Sequence, residues 1–170
     1  LEAGQLRQKC LDATWTMTNG KSHHGYKLSV YVDKKHKFMR KIVTDTASTH
    51  DSQHFEAVID PTDMSRDVYA DRGYPSEGRE AWLKTNGYRS RIQRNSQRNK
   101  PLSETQRGRH ERIAKSRARV VYAFESIEQM GGKLIRTVGQ ARANFVMTMT
   151  AAFYNLKWLV YFQRPGIVAF

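Results

Sequence analysis

From Tyr26 to Asp33 the chain alternates, with Tyr26, Leu28, Val30 and Val32 on one side and Lys27, Ser29, Tyr31 and Asp33 on the other. Only an extended backbone sends every second side chain to the same face, so this is a β-strand with one face inward. A basic turn, Lys34 to Lys37, leads to a second run, Phe38 to Val43, and the two form a hairpin. Before it, Asn19-Gly20 marks a turn and Leu1 to Thr18 shows few periodic signals. After it the pattern changes. A short helix opens at Asp51, its predicted cap, with Phe55, Val58 and Ile59 inward. Val68 to Ala70 reads as a short strand. Ser76 caps a helix that Gly87 stops, and Tyr88 to Arg94 is another strand. Ser103-Glu104-Thr105-Gln106 is a capping box that starts a long helix ending at Gly131-Gly132, and Gly139 starts a second. Strands alternating with helices after an opening hairpin predict an α/β fold, a mixed sheet flanked by helices.

The 170 residues read as one domain: an irregular leader over 1–19, a sheet core over 20–94, and a basic loop with two long helices over 95–170. Phe145 to Phe162 is largely apolar but carries Thr148, Thr150, Asn155 and Lys157. It is too short and too polar for a membrane span. Phe145, Met149, Ala152, Phe153, Leu156 and Val160 recur at helical spacing, which predicts an amphipathic helix with that face buried. A single cysteine, Cys10, excludes a disulfide framework and a cysteine-based zinc site. The first ten residues hold no apolar run, so no secretory signal is expected. The chain lacks an initiator Met and reads as a fragment.

Charge narrows the function. The net charge is +13, and such an excess implies an anionic partner, most often nucleic acid. Eleven cations cluster in one stretch: Arg89, Arg91, Arg94, Arg98, Lys100, Arg107, Arg109, Arg112, Lys115, Arg117 and Arg119, against only Glu104 and Glu111. A merely solvated helix face normally interleaves acids at i,i+4. Arginine forks suit phosphate oxygens, so this stretch is the predicted nucleic-acid contact. Asp71 follows the short strand and precedes a turn at Gly73. A carboxylate at a strand tip suits a divalent-metal ligand, and equally a solvated aspartate that closes a turn.

Several motifs together resemble one family. They are Gly20-Lys21-Ser22-His23-His24-Gly25-Tyr26-Lys27, Val43-Thr44-Asp45 with His50-Asp51-Ser52, Ala70-Asp71-Arg72-Gly73-Tyr74, Arg117-Ala118-Arg119-Val120, Met130-Gly131-Gly132 with Arg136-Thr137-Val138-Gly139, and Tyr154-Asn155-Leu156. Their order resembles the DDE transposases of bacterial insertion sequences, in the group named after insertion sequence five, over Asp12 to Phe162. The resemblance implies a ribonuclease-H-like fold, here lacking the first central strand. It implies two Asp and one Glu holding two magnesium ions that activate water, then a 3′ hydroxyl, for attack on a phosphodiester. It further implies double-stranded DNA as partner (transposon ends and target), a homodimer, no small-molecule substrate, and a bacterial cytoplasmic, nucleoid-associated location.

Carried over by position, Asp71 matches the second acid and is the expected catalytic residue and metal ligand. Leu11-Asp12-Ala13-Thr14-Trp15 has the outline of the first acidic strand, making Asp12 a secondary candidate. It resembles more closely a later, non-catalytic Asp-x-x-x-Thr segment of the family. Where the family reads Arg-Val-Glu this chain reads Arg119-Val120-Val121, and Val121 cannot bind a metal. Glu125, one turn on, is the secondary candidate there, displaced by about 5.4 Å along the helix. The expectation is a transposase inactive as it stands, with a degenerate or repurposed DNA-binding remnant as the alternative.

Overall fold

The computed structural model describes residues 10–18, 20–94 and 103–164. It is a mixed α/β structure. Strand β1 (Thr14–Thr18) pairs antiparallel with β2 (Lys21–Val32), which pairs antiparallel with β3 (Met39–Thr46). A 3-10 turn, Asp51–His54, leads into the short helix α1 (Phe55–Val58). Strand β4 (Asp67–Ala70) runs parallel to β5 (Arg89–Ile92) through helix α2 (Glu77–Thr85). Two long helices follow, α3 (Glu104–Gln129) and α4 (Gln140–Phe162). The chain divides into two compact units, Leu1–Asp60 with Ala123–Phe170, and Pro61–Tyr122.

In the first unit Thr18 pairs with Lys21, and Gly20 sits at a φ of 74° that a side chain would resist. Strand β1 occupies the end of the segment expected to be an irregular leader. Its alternation is inverted: Thr14 and Thr16 are half-buried, while Trp15 and Met17 are exposed. The inward Thr14 hydroxyl accepts from the Ser48 N–H at 2.8 Å. Between β2 and β3 the tip is closed by Asp33 N–H to Phe38 C=O at 2.8 Å, and Asp33's carboxylate accepts from the Lys35 and His36 N–H groups. The next helical turn is capped by His50, whose Nδ1 accepts from Ser52 N–H, and not by Asp51. Asp51 instead pairs with Lys27 Nζ at 3.2 Å.

Helix α4 closes this unit, but by the opposite face from the one expected. Ala143, Met147, Ala151 and Tyr154 are buried, the last three packing with Met39, Ala123 and Ile127, while Leu28, Val30 and Ile42 fill in from the strands. Phe145, Met149, Phe153, Leu156 and Val160 face away from that core. The choice of face follows from Asn155. Its Nδ2 donates to Met39 C=O and its Oδ1 accepts from Met39 N–H, both at 2.8 Å. One amide thereby serves both backbone groups of a residue at the start of β3, and it fixes the rotation of the helix.

In the second unit the parallel pair sets Asp67 opposite Arg89 and Ala70 opposite Ile92, with Val68, Ala70, Leu83, Tyr88 and Ile92 buried. Ser76 caps α2 through the Arg79 N–H, and Gly87 follows the helix at a φ of 74°. The capping box of α3 forms in both directions: Ser103 Oγ accepts from Gln106 N–H, and Gln106 Oε1 accepts from Ser103 N–H.

Replacing Asn155 by Leu is expected to destabilise the first unit by about 2–4 kcal/mol, because both Met39 backbone groups lose their partner while staying part-buried. Urea unfolding of Asn155→Leu checks this; a loss below about 0.5 kcal/mol contradicts the assigned role.

Candidate nucleic-acid interface

The second unit carries both Asp71 and most of the basic stretch. Asp71 lies just beyond β4. Its Oδ1 accepts from the Arg72 N–H at 2.7 Å, and its C=O accepts from Tyr74 N–H at 3.1 Å, so the turn holds one oxygen. The other oxygen, Oδ2, accepts from Arg117 Nη2 on α3 at 2.9 Å. About half of the Asp71 side chain is exposed, so the pair is screened and adds little to stability. Its consequence is electrostatic: the carboxylate faces a fixed cation. One turn further along α3 from Arg117 stands Val121, exposed and apolar.

These groups do not fit a divalent metal. Among the described residues no group of three His, Cys, Asp or Glu side chains is placed to hold one. An arginine on the carboxylate and a valine at the next turn supply repulsion and no ligand. The two secondary acids belong to the other unit. Glu125 is exposed on α3. The Asp12 carboxylate is engaged locally: Oδ1 accepts from Tyr26 OH and Oδ2 from Gln140 N–H, both at 2.6 Å. A carboxylate there meets the positive end of α4, directly after Gly139. The Tyr26 bond, then the Gln140 bond, hold the Asp12 carboxyl below its ordinary range. Gln140 also donates through Nε2 to Thr44 C=O at 3.1 Å and lies 3.4 Å from Asp45 Oδ1. The Asp45 carboxyl is lowered too, first by the Thr46 N–H. Gln140 is the residue that sequence reasoning passed over; its position right after the helix-starting Gly139 was the available signal.

The cations divide by role. Ile113 is buried and marks the inward line of α3; Arg109 and Arg117, four residues to either side, share that line. Arg109 Nη2 reaches Ser90 C=O at 3.4 Å, and Arg117 reaches Asp71. Arg89 and Arg91 both lean on Asp67 Oδ1, at 2.9 and 3.2 Å. Arg94 is exposed, and its N–H meets His110 Nε2 at 3.3 Å. Arg107, Arg112 and Lys115 are exposed on α3, with Arg112 reaching back to Gly108 C=O. Arg119 is half-buried. Arg98 and Lys100 lie outside the described residues. Among the described residues the exposed members of the stretch are Arg89, Arg94, Arg107, Arg112 and Lys115.

Against known proteins, the family described as the transposase DDE domain matches residues 5–156. The chain is 32% identical over 149 residues to the transposase for insertion sequence element IS1106 of Neisseria meningitidis serogroup B, covering 85% of this chain and 49% of that one. The chain thus spans about half the length of the curated relative it matches. No solved structure matches it. No helix among the described residues is long and apolar enough to cross a membrane.

Asp12 and Asp45 have folded values below their unfolded ones, so the stability they lend is complete above the ordinary carboxylate value of 3.8 and lost as pH falls through the lowered values. Asp12→Asn is therefore expected to lower the melting temperature at pH 7, and the gap to the parent chain should close as the pH approaches 2. Melting curves across that range check it; a gap independent of pH contradicts it.

Proposed function

Because the chain belongs to the DDE transposases of insertion sequences, we propose that it grips duplex DNA through the outward cations of its second unit and does not cut DNA unaided. The observation that carries the binding half is the exposed set Arg107, Arg112 and Lys115 on α3, with Arg89 and Arg94 beside it in the same unit. Phosphates are the fitting partner, since among the described residues no carboxylate pairs with Arg107, Arg112 or Lys115, and arginine forks match phosphate oxygens. Contacts of this kind position a duplex without reading its sequence.

The second half rests on Asp71. The family generally depends on a divalent metal. In this chain Asp71 is ion-paired to Arg117 and the third acidic position is Val121, so no metal-assisted step is assigned to it. Val121 also favours the alternative reading, a repurposed DNA-binding remnant. The antiparallel β1–β3 run followed by parallel strands joined through a helix supports a ribonuclease-H-like reading of the fold. The family further suggests action as a homodimer on transposon ends and target, at the nucleoid of a bacterial cell.

If about five phosphates are contacted, the logarithm of the affinity should fall with the logarithm of salt at a slope of about −4.5. Arg107→Glu, Arg112→Glu and Lys115→Glu together should weaken binding by tenfold or more on any duplex, as read by fluorescence anisotropy. A flat salt response, or an unchanged triple variant, refutes the binding half. For the second half, the chain with magnesium should leave supercoiled plasmid un-nicked. Nicking that Asp71→Ala abolishes refutes it.

A further inference from the structure

The tip of the β2–β3 hairpin gathers charge that α3 does not account for. From Lys34 to Lys41 five of the eight residues are lysine or arginine, and none is acidic. A charged hairpin tip is ordinarily a loose, solvated one. This tip is held from within. The carboxylate of buried Asp33 accepts from the Lys35 N–H at 3.1 Å and the His36 N–H at 2.7 Å, and it lies 3.1 Å from His36 Nδ1. The Lys37 N–H closes back on Asp33 C=O at 3.0 Å. The one acid bordering the run thus serves the turn's own N–H groups.

Two further features exceed what a turn needs. Among the described residues Lys37 is the only non-glycine at positive φ, at 64°. That backbone suits glycine or asparagine and costs a lysine energy, so the turn alone does not ask for lysine there. Lys37 Nζ stands 4.6 Å from the centre of the Trp158 ring, and an ammonium on a ring face keeps N–H donors for an anion. Packed rings then pin the tip to the end of α4. His36 and Phe38 each lie 6.0 Å from Phe162, which lies 5.7 Å from Trp158. Cations placed in advance lose little freedom on binding, which favours an anionic ligand. The shape indicates which one. Val32 still pairs with Met39, so the two-stranded ribbon persists to the turn, and such a ribbon is narrow enough to enter a groove of duplex DNA.

We infer that the β2–β3 tip is a second duplex-DNA contact, in which the ribbon end enters a groove and Lys34, Lys35 and Lys37 take phosphates along its border. The inference rests on the reading of the chain as duplex-binding and goes beyond it. Every residue of the tip belongs to the first unit, whereas the α3 cations belong to the second. Lys34 and Lys35 are exposed and Lys37 is half-buried against its ring. Phosphate contacts of this kind fix the duplex without reading its sequence.

Fluorescence anisotropy with a short duplex of arbitrary sequence tests this. Lys34→Gln, Lys35→Gln and Lys37→Gly together should weaken binding about tenfold or more and make the salt slope shallower by about 2.7, one phosphate per lysine. Glycine is the choice at position 37 because it accepts the backbone there, so the variant should melt no lower than the parent. The chain carrying only Lys34→Gln and Lys35→Gln leaves Lys37 on Trp158 and should still lose about 1.8 of slope. Acetylation of amines, read by peptide mass, should show the duplex shielding Lys35 and Lys37. An unchanged slope in the Lys34→Gln, Lys35→Gln chain overturns the inference, and if the α3 reversal variant binds weakly in the same assay the α3 reading stands. An unchanged α3 variant beside a weakened tip variant overturns that reading alone. Equal losses on a single strand and on the duplex overturn the seating in a groove.

Discussion

Asn155 is the contact on which the first unit depends. Its amide takes both backbone groups of Met39 and so sets the rotation of α4 over the sheet. With that rotation fixed, Tyr154 falls to 1% exposure while its apolar neighbours Phe153 and Leu156 turn outward. Gln140 does the same at the other end of the helix, reaching Thr44 C=O, with Asp12 accepting from its backbone N–H. Two polar clamps, one toward each end, thus sit on the inward side of α4 beside Ala143, Met147, Ala151 and Tyr154.

The second unit is governed by charge. Arginines do two jobs that composition cannot separate. Arg109 and Arg117 lie along the inward line of α3 and tie the helix to Ser90 and Asp71. Arg107, Arg112 and Lys115 stay in solvent, where their field is available to a polyanion. The Asp71–Arg117 pair sets the chain's own cation on the carboxylate at the tip of β4. Val121, one turn on, carries no ligand atom.

Most local signals at turns and caps were legible, although the 3-10 turn is capped by His50 and not by Asp51. The box at Ser103 and Gln106, the Ser76 cap, the Gly87 stop and the Gly139 start all occur where residue type demands them. Two misreadings share one cause. In β1 Trp15 and Met17 face outward, and α4 is apolar on two opposite faces, so the pattern rule missed β1 and chose the wrong face of α4. Thr14 turns inward because Ser48 needs an acceptor, and Asn155 because Met39 does. Both partners are distant in sequence and invisible to a periodicity argument. The same holds for Asp71: its position at a strand tip was readable, whereas its partner 46 residues away was not. The family, by contrast, was readable from motif order, and the matched domain and the relative agree with it.

The central claim is that Asp71 in this chain is the partner of Arg117 and not a metal ligand. Titration of manganese into the isotopically labelled chain, read as paramagnetic broadening of backbone amide signals, addresses it directly. The account predicts no saturable broadening centred on Ala70, Asp71 and Arg72, and a slow, uniform loss of signal at high metal. Saturable broadening confined to those residues, abolished by Asp71→Ala, would contradict it.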